Sequence, residues 1–293
     1  MLDDTQEIQG LLDAAGRVRI PNIGRPYYVR PLTLSSDCHI TMDPGVVIQA
    51  KMGEFHGSND RLLTGSGISN VTIVGYNATL KMRKENYRTE EYEASEHRHA
   101  LALYGCSNVK VYGLTCQSSG GDGFYFAENA GTPCSSVFLS DCVADDNYRN
   151  GLSIVSASGF AAINCTFKNT EGTSPRLGVD IEPGLPTNKL ENILFRYCRT
   201  QNNAGGGFQV HFKELTGDSD DVSVTVQSCV AREPTAFGIL VQCFASSPGG
   251  HVTFEDFFVE ATNKDTPAYT DKWNSGANVD LNFKNVRAIK PGA

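Results

Sequence analysis

The sequence predicts an all-β solenoid, a chain that stacks short parallel strands coil upon coil. Two observations carry this. The first is a six-position pattern (apolar, any, apolar, any, any, Cys or a large apolar residue) that returns about every thirty residues. It reads Val109-Val111-Leu114, Val137-Leu139-Cys142, Phe160-Ala162-Cys165, Ile193-Phe195-Cys198, Val224-Val226-Cys229, Val252-Phe254-Phe257 and Leu281-Phe283-Val286. An earlier copy is Val71-Ile73-Tyr76, and Ile40-Met42 opens the series. A fixed period in this range marks a stacked-repeat architecture. Alternation by two within each copy means strand rather than helix.

The second observation is another strand in each coil. Its copies are Ala100–Leu103, Gly123–Phe126, Gly151–Ile154, Gly178–Ile181, Gly207–Val210 and Gly238–Val241. The second and fourth positions are apolar in every copy and point inward. The third position, and the one after the fourth, point outward.

The elements follow in order. Residues 3–16 read as a short capping helix, with Asp4 or Thr5 as N-cap, Ile8, Leu11 and Leu12 as its apolar stripe, and Gly16 as its stop. An open solenoid end exposes unpaired strand edges, so a cap is expected there. Residues 18–50 give short strands broken by turns such as Asp43-Pro44-Gly45. Residues 82–98 form a charged insertion, too polar for a coil and too long for a turn; long loops of this kind often carry function. The six coils above follow, then a second polar stretch at 262–278 and a last strand. The uninterrupted repeat makes residues 1–293 a single domain.

Bulk properties narrow the function. The net charge is −8 and no run of eighteen apolar residues occurs, which excludes general nucleic-acid or acidic-membrane binding and a membrane-spanning helix. Met1-Leu2-Asp3-Asp4 shows no basic region followed by an apolar run. Of the nine cysteines, Cys142, Cys165, Cys198 and Cys229 fall in one inward column. The expectation is a ladder of buried, mostly reduced thiols, with one or more disulfides as the alternative. No CxxC pair or Cys/His spacing supports a metal site, and no cofactor is expected.

Asp3-Asp4-Thr5, Ile8-Gln9, Leu12-Asp13-Ala14-Ala15-Gly16, Ile20-Pro21 and Pro44-Gly45 resemble the opening of the pectate-lyase-like right-handed parallel β-helix superfamily. With the coils, the resemblance spans nearly the whole chain. It implies a single-stranded right-handed parallel β-helix that binds or cleaves a polysaccharide or oligosaccharide in a groove along one sheet. It also implies a secreted or periplasmic location, with a leader not visible in this chain.

Aligning the second strands gives outward columns. One holds Tyr125, Ser153, Asp180 and Gln209; the next holds Tyr104, Ala127, Val155, Glu182, His211 and Gln242. Just before the strands stand His99, Asp122 and Asn150, and one residue further back Arg98, Arg149 and Arg176. Amides, carboxylates and aromatics on one wide face suit sugar hydroxyls. Substrate contacts are therefore expected from Arg98, His99, Tyr125, Arg149, Asn150, Arg176, Gln209, His211 and Gln242, with the three arginines favouring an acidic ligand. For the amides, a plain polar ladder is the competing reading. For the arginines it is pairing with Asp146, Asp180 or Glu182.

Asp180 and Glu182 lie two apart on one strand, hence on one face and about 6.5–7 Å apart at the backbone. Like charges so placed raise one pKa, which leaves a protonated acid beside an ionised base, as glycoside hydrolysis needs. Asp122, two coils away at about 9–10 Å along the axis, completes the candidate catalytic set; that spacing leaves room for a water and favours inversion.

Ser119-Gly120-Gly121-Asp122-Gly123-Phe124 and Asn150-Gly151-Leu152-Ser153-Ile154 resemble segments of the polygalacturonase family of glycoside hydrolases. The resemblance carries over Asp122 alone as a carboxylate; Asn150 stands where that family has a histidine. A rival reading is a uronate lyase or C5-epimerase, since Arg149 and Gly178-Val179-Asp180 resemble the alginate epimerases in outline. That chemistry would use an arginine to neutralise the carboxylate and Tyr125, His99 or His211 as base. A third reading is a non-catalytic glycan-binding β-helix. It calls for aromatic platforms, whereas the single tryptophan, Trp273, falls outside these columns.

Overall fold

The computed structural model describes residues 2–243, 247–260 and 269–289. Among the described residues the chain forms a right-handed parallel β-helix of three parallel sheets, two with ten strands and one with nine. Every neighbouring pair in a sheet comes from successive coils. The first sheet runs from Gly16–Ile20 to Asp280–Lys284, the second from Tyr27–Val29 to Arg287–Ile289, and the third from Leu32–Thr33 to Tyr269–Trp273.

The expected six-position pattern is the first sheet plus its turn. Val109 pairs with Val71 and Val137, and Val111 with Ile73 and Leu139. One coil precedes the expected start, because Val18 and Ile20 pair with Ile40 and Met42. Tyr76 does not join the column of Leu114. Its turn carries two extra residues, so Ala78 takes the buried place, while Tyr76 swings out, 46% exposed, and donates to the Asp141 carboxylate at 3.0 Å. The Cys142, Cys165, Cys198 and Cys229 column is buried, and these four cysteines are free thiols. Phenylalanines stack beside it, with ring centroids 5.0 Å apart for Phe126–Phe160 and 5.6 Å for Phe160–Phe195 and Phe195–Phe208. Edge-on and tilted pairs at such spacing are favourable ring geometry.

The N-terminal helix spans Thr5–Leu12 and is shorter than expected. It buries Ile8 and Leu12 on the first coil, worth about 1.5–3 kcal/mol each. Gly16 is not the helix stop but the start of the first strand. Asp4 sits at the N-cap but spends its carboxylate on Arg25 and on the Tyr28 amide rather than on the helix.

The third sheet holds the anticipated second strands, in the anticipated register. Phe124 pairs with Leu101 and Leu152, Asp180 with Ser153 and Gln209, and His211 with Gln242. The shared glycine is forced by backbone approach: a Cβ on Gly151 would lie 2.6 Å from the Gly178 carbonyl oxygen, and one on Gly123 2.7 Å from that of Gly151. The polar stretch at 262–278 is not uniformly loop: Tyr269–Trp273 is a strand of this sheet, and 261–268 lie outside the described residues.

Candidate active site

The third sheet presents its outward columns beneath the 82–98 loop, and this pairing builds the site. The loop is not a solvated excursion. A 3₁₀ turn, Asn86–Arg88, buries Tyr87, and Tyr92 packs edge-on against Tyr87 at 5.3 Å. Buried Lys84 pairs with Asp146 beneath it. Gly121 lets the loop touch the sheet, since a Cβ there would lie 2.5 Å from the Glu96 carbonyl and 2.9 Å from His99 Nδ1.

Arg98 fixes this loop and does not line the cavity beside it. It is fully buried. Its Nε donates to the Phe55 carbonyl at 2.9 Å, and its Nη2 donates to those of His56 at 2.9 Å and Glu93 at 2.8 Å. Its guanidinium carbon lies 5.4 Å from the Tyr87 ring and 5.9 Å from that of Tyr92. Backbone carbonyls that a polar loop leaves underground need donors, and Arg98 supplies them.

The cavity beside the loop measures about 310 Å³ and is lined by Glu96, His97, Tyr125, Arg149, Ser153, Val155, Asp180, Glu182, Pro183, Gly184, Lys213 and Glu214. Arg149 is its hub. Nη1 is 3.4 Å from Asp122 Oδ2, Nη2 is 3.9 Å from Asp180 Oδ2 and 3.6 Å from Glu182 Oε2, and Nε is 3.5 Å from Glu96 Oε1. Burial works against its charge, but the four carboxylates hold its pKa above the ordinary arginine value. The competing reading of ion pairing therefore holds for Arg149. Arg176 lines neither this cavity nor an ion pair among the described residues; its backbone turns at φ +62° ahead of Leu177.

Asp180 is 1% exposed. Its Oδ2 accepts from Asn150 Nδ2 at 3.0 Å and its Oδ1 from Gln209 Nε2 at 2.9 Å. Burial, then the charge of Glu182, pushes its pKa up to about 7, against the pull of Arg149. Glu182 is the accessible member of the pair, its side chain 36% exposed. Its Oε1 lies 2.8 Å from His211 Nδ1. That bond is the largest of the effects holding its pKa below the ordinary glutamate value, and the charge of Arg149 adds to it. The two carboxyls are thus pushed apart, one toward neutral and one toward anionic.

Asp122 is fully buried behind Arg149 and does not reach the cavity. Its Oδ1 accepts from the Asn150 amide at 2.9 Å, and burial raises its pKa to about 6 while Arg149 opposes. The spacing expected to admit a water between Asp122 and Asp180 is therefore occupied by the Arg149 guanidinium.

His99 and Asn150 are likewise buried and do not line the cavity. His99 is 1% exposed, stacked on Tyr125 at 4.2 Å, and its Nδ1 accepts from the Asp122 amide at 2.9 Å; burial, followed by the charge of Arg61, keeps its pKa well below the ordinary value. Asn150 is fully buried, its Oδ1 accepting from the Leu177 amide at 2.9 Å. Gln209 reaches Asp180, and His211 reaches Glu182; Gln242 lies one coil beyond, paired with His211 along the sheet. Tyr125 and Arg149 are the expected binding residues that line the cavity.

Glu96, His97, Lys213 and Glu214 were not anticipated. Glu96 and His97 sit in the insertion, where no strand alternation assigns a direction. Lys213 and Glu214 follow a strand of the third sheet, Gly206–His211, and extending its alternation would have reached Lys213. Among the described residues, no group of three or more His, Cys, Asp or Glu side chains is arranged to hold a metal ion.

The family model for the right handed beta helix region matches residues 35–182 and 68–259. Among solved structures, the polygalacturonase from Erwinia carotovora ssp. carotovora superposes with a TM-score of 0.66 at 12% identity, over 98% of this chain and 90% of that one. A 1,3-α-1,4-β-D-galactose-4-sulfate-3,6-anhydro-D-galactose-2-sulfate 4 galactohydrolase gives 0.67 at 13%, over 98% and 84%. The tailspike protein of E. coli bacteriophage HK620, in complex with pentasaccharide, gives 0.65 at 15%, over 97% of this chain and 52% of that one, so this chain spans about half of the tailspike. At these identities the likeness is one of fold. No curated protein sequence matches.

Proposed function

The chain belongs to the right-handed β-helix family, and on that premise we propose that it is a polysaccharide-active enzyme, a glycoside hydrolase acting in the cavity beneath the 82–98 loop. The observation that carries this reading is the Asp180–Glu182 pair, two residues apart at the end of the strand Leu177–Ile181, with one pKa pushed up to about 7 and the other held low. Near neutral pH, Asp180 keeps a proton and serves as general acid. Glu182, ionised and partly exposed, serves as base or nucleophile toward the sugar. Asp122 acts through Arg149, which it orients toward the pair. His211 holds the Glu182 carboxylate, and Asn150 and Gln209 hold Asp180.

The solved relatives are named for polygalacturonase and galactohydrolase activities, and another is bound to a pentasaccharide. Such substrates lie outside the cytoplasm, which fits a secreted or periplasmic enzyme. The lyase alternative needs a cation free to neutralise a substrate carboxylate, and Arg149 is already engaged by four carboxylates. Tyr125, its pKa raised to about 12 by burial, stays a phenol at neutral pH.

The test is incubation with a panel of neutral and acidic polysaccharides, reading reducing ends and ultraviolet absorbance together. Reducing ends without absorbance, lost in Glu182→Gln, support the hydrolase. An absorbing unsaturated product moves the assignment to a lyase. Binding without turnover moves it to the non-catalytic class.

A further inference from the structure

Upstream of the catalytic cavity the same face carries a second charged feature, centred on Arg61. Leu63 pairs with Leu101, Leu101 with Phe124 and Phe124 with Leu152, so Arg61, His99, Asp122 and Asn150 form one column on four successive coils. Arg61 is half-buried, with its guanidinium carbon 4.9 Å from the Tyr104 ring. Tyr104 lies 5.7 Å from Tyr125, and Tyr125 lines the cavity. An aromatic strip therefore joins the arginine to the carboxyl pair. Arg61 stands four coils before Asp180, about 19 Å at ~4.8 Å per coil, which is several sugar units.

Arg61 differs from the cations that line the cavity. Arg149 is shared among four carboxylates, and Lys213 lies 3.5 Å from Glu214. Among the described residues Arg61 has no carboxylate partner; its Nη1 donates to the Asn59 carbonyl at 3.2 Å and its Nη2 to Asn59 Oδ1 at 3.0 Å. Each of these nitrogens keeps a second N–H, and the head is fixed by Asn59 on one side and the ring on the other.

The surroundings are donors without acceptors. Arg61 Nε, Tyr104 Oη and His99 Nε2 are buried and have no hydrogen-bond partner. His99 Nδ1 accepts from the Asp122 amide, so Nε2 carries its hydrogen. Tyr104 is held in the phenol form by burial. Buried unpaired donors are costly and uncommon, and a run of them beside a fixed guanidinium matches an acceptor-rich anion.

We propose that Arg61 and Tyr104 form a remote subsite for an anionic sugar substituent, a uronate carboxylate or a sulfate ester, several units from the bond that is cut. This rests on the reading of the cavity as a glycan site and adds a substrate class: a charged polymer long enough to span both places. An arginine fork binds either anion in bidentate fashion.

The test uses Glu182→Gln protein, which binds without turning over, on an array of uronate-bearing, sulfated and neutral oligosaccharides of six or more units. The expected result is preferential binding of anionic chains, weakened by salt. Adding Arg61→Met should lower that affinity at least tenfold and leave neutral chains unaffected, and Arg61→Lys should restore part of it. The uronate and sulfate arms identify which anion is read. Equal binding of neutral and anionic chains, no binding of anionic chains, or a charge preference that survives Arg61→Met overturns the proposal. Its failure is separable from that of the hydrolase reading: hydrolysis of neutral glycans by the unmodified protein sustains the hydrolase without the subsite. Arg61-dependent anion binding with no turnover sustains the subsite without the hydrolase.

Discussion

Arg98 and Arg149 occupy one column, each three residues ahead of the aligned strand residue and two coils apart, and they do opposite work. Arg98 is sealed and gives its donors to backbone carbonyls of the 51–62 and 82–98 segments. Arg149 lines a cavity and sits among carboxylates. The column position sets only where each side chain starts. What it meets is set by the neighbouring coils: loops with stranded carbonyls in one case, Asp122, Asp180 and Glu182 in the other. One arginine therefore belongs to stability and the other to charge control, a contrast that substitutions can break.

The largest effect is expected at the pair that Arg149 serves. Asp180→Asn and Glu182→Gln keep size and strand packing, and each should lower kcat by about two to four orders of magnitude, the scale of a lost general acid or base. Their unfolding midpoints in urea should stay close to that of the unmodified protein. Full activity in either variant removes that residue from the mechanism.

Arg98→Met should act on the other side of the contrast. It leaves buried carbonyls unpaired and removes a cation from two rings, so a loss of about 3 kcal/mol in urea unfolding is expected. Activity should fall only in proportion to the loosening of the loop. A stable Arg98→Met protein with lost sugar binding would return Arg98 to the site.

The pH profile sharpens the same division. The proposed mechanism needs Glu182 ionised and Asp180 protonated. Since Asp180 is raised to about 7 and Glu182 is held low, kcat/KM should fall as pH climbs through about 7. Arg149 lowers the Asp180 pKa, so Arg149→Met should move that descending limb upward by about one unit. A limb that stays in place would show that Asp180 does not set it.

The smallest effect is expected in the inward column. Cys142, Cys165, Cys198 and Cys229 should label with a thiol reagent only on unfolding, because each is buried and free. Rapid labelling of the native protein would mean the coils open locally at these positions.

Much of this was legible in the sequence where the rule is local. The inward Val, Ile, Leu, Phe and Cys positions and the outward Tyr125, Ser153, Asp180 and Gln209 positions follow from strand alternation repeated coil by coil, and the register agrees. The second sheet was not legible. Its strands are mostly three residues long, such as Thr115–Gln117 and Thr166–Lys168, with only the middle residue inward. A single apolar residue shows no period. Arg61 was missed because Leu62 stands where the other copies carry Gly or Ala; matching Leu63 and Gly65 to Leu101 and Leu103 would have revealed it.

Residue order alone specifies the coil, its inward core and which polar residues share a face, because stacking at a fixed rise turns a repeat into columns. Which of those residues meet solvent, which are sealed, and which carboxyl is pushed toward its neutral form emerge once the coils and the loop pack together. Those properties depend on groups from several coils and one folded-over loop. Burial and charge sum over every neighbour in space, and the spacing along the chain does not contain that sum.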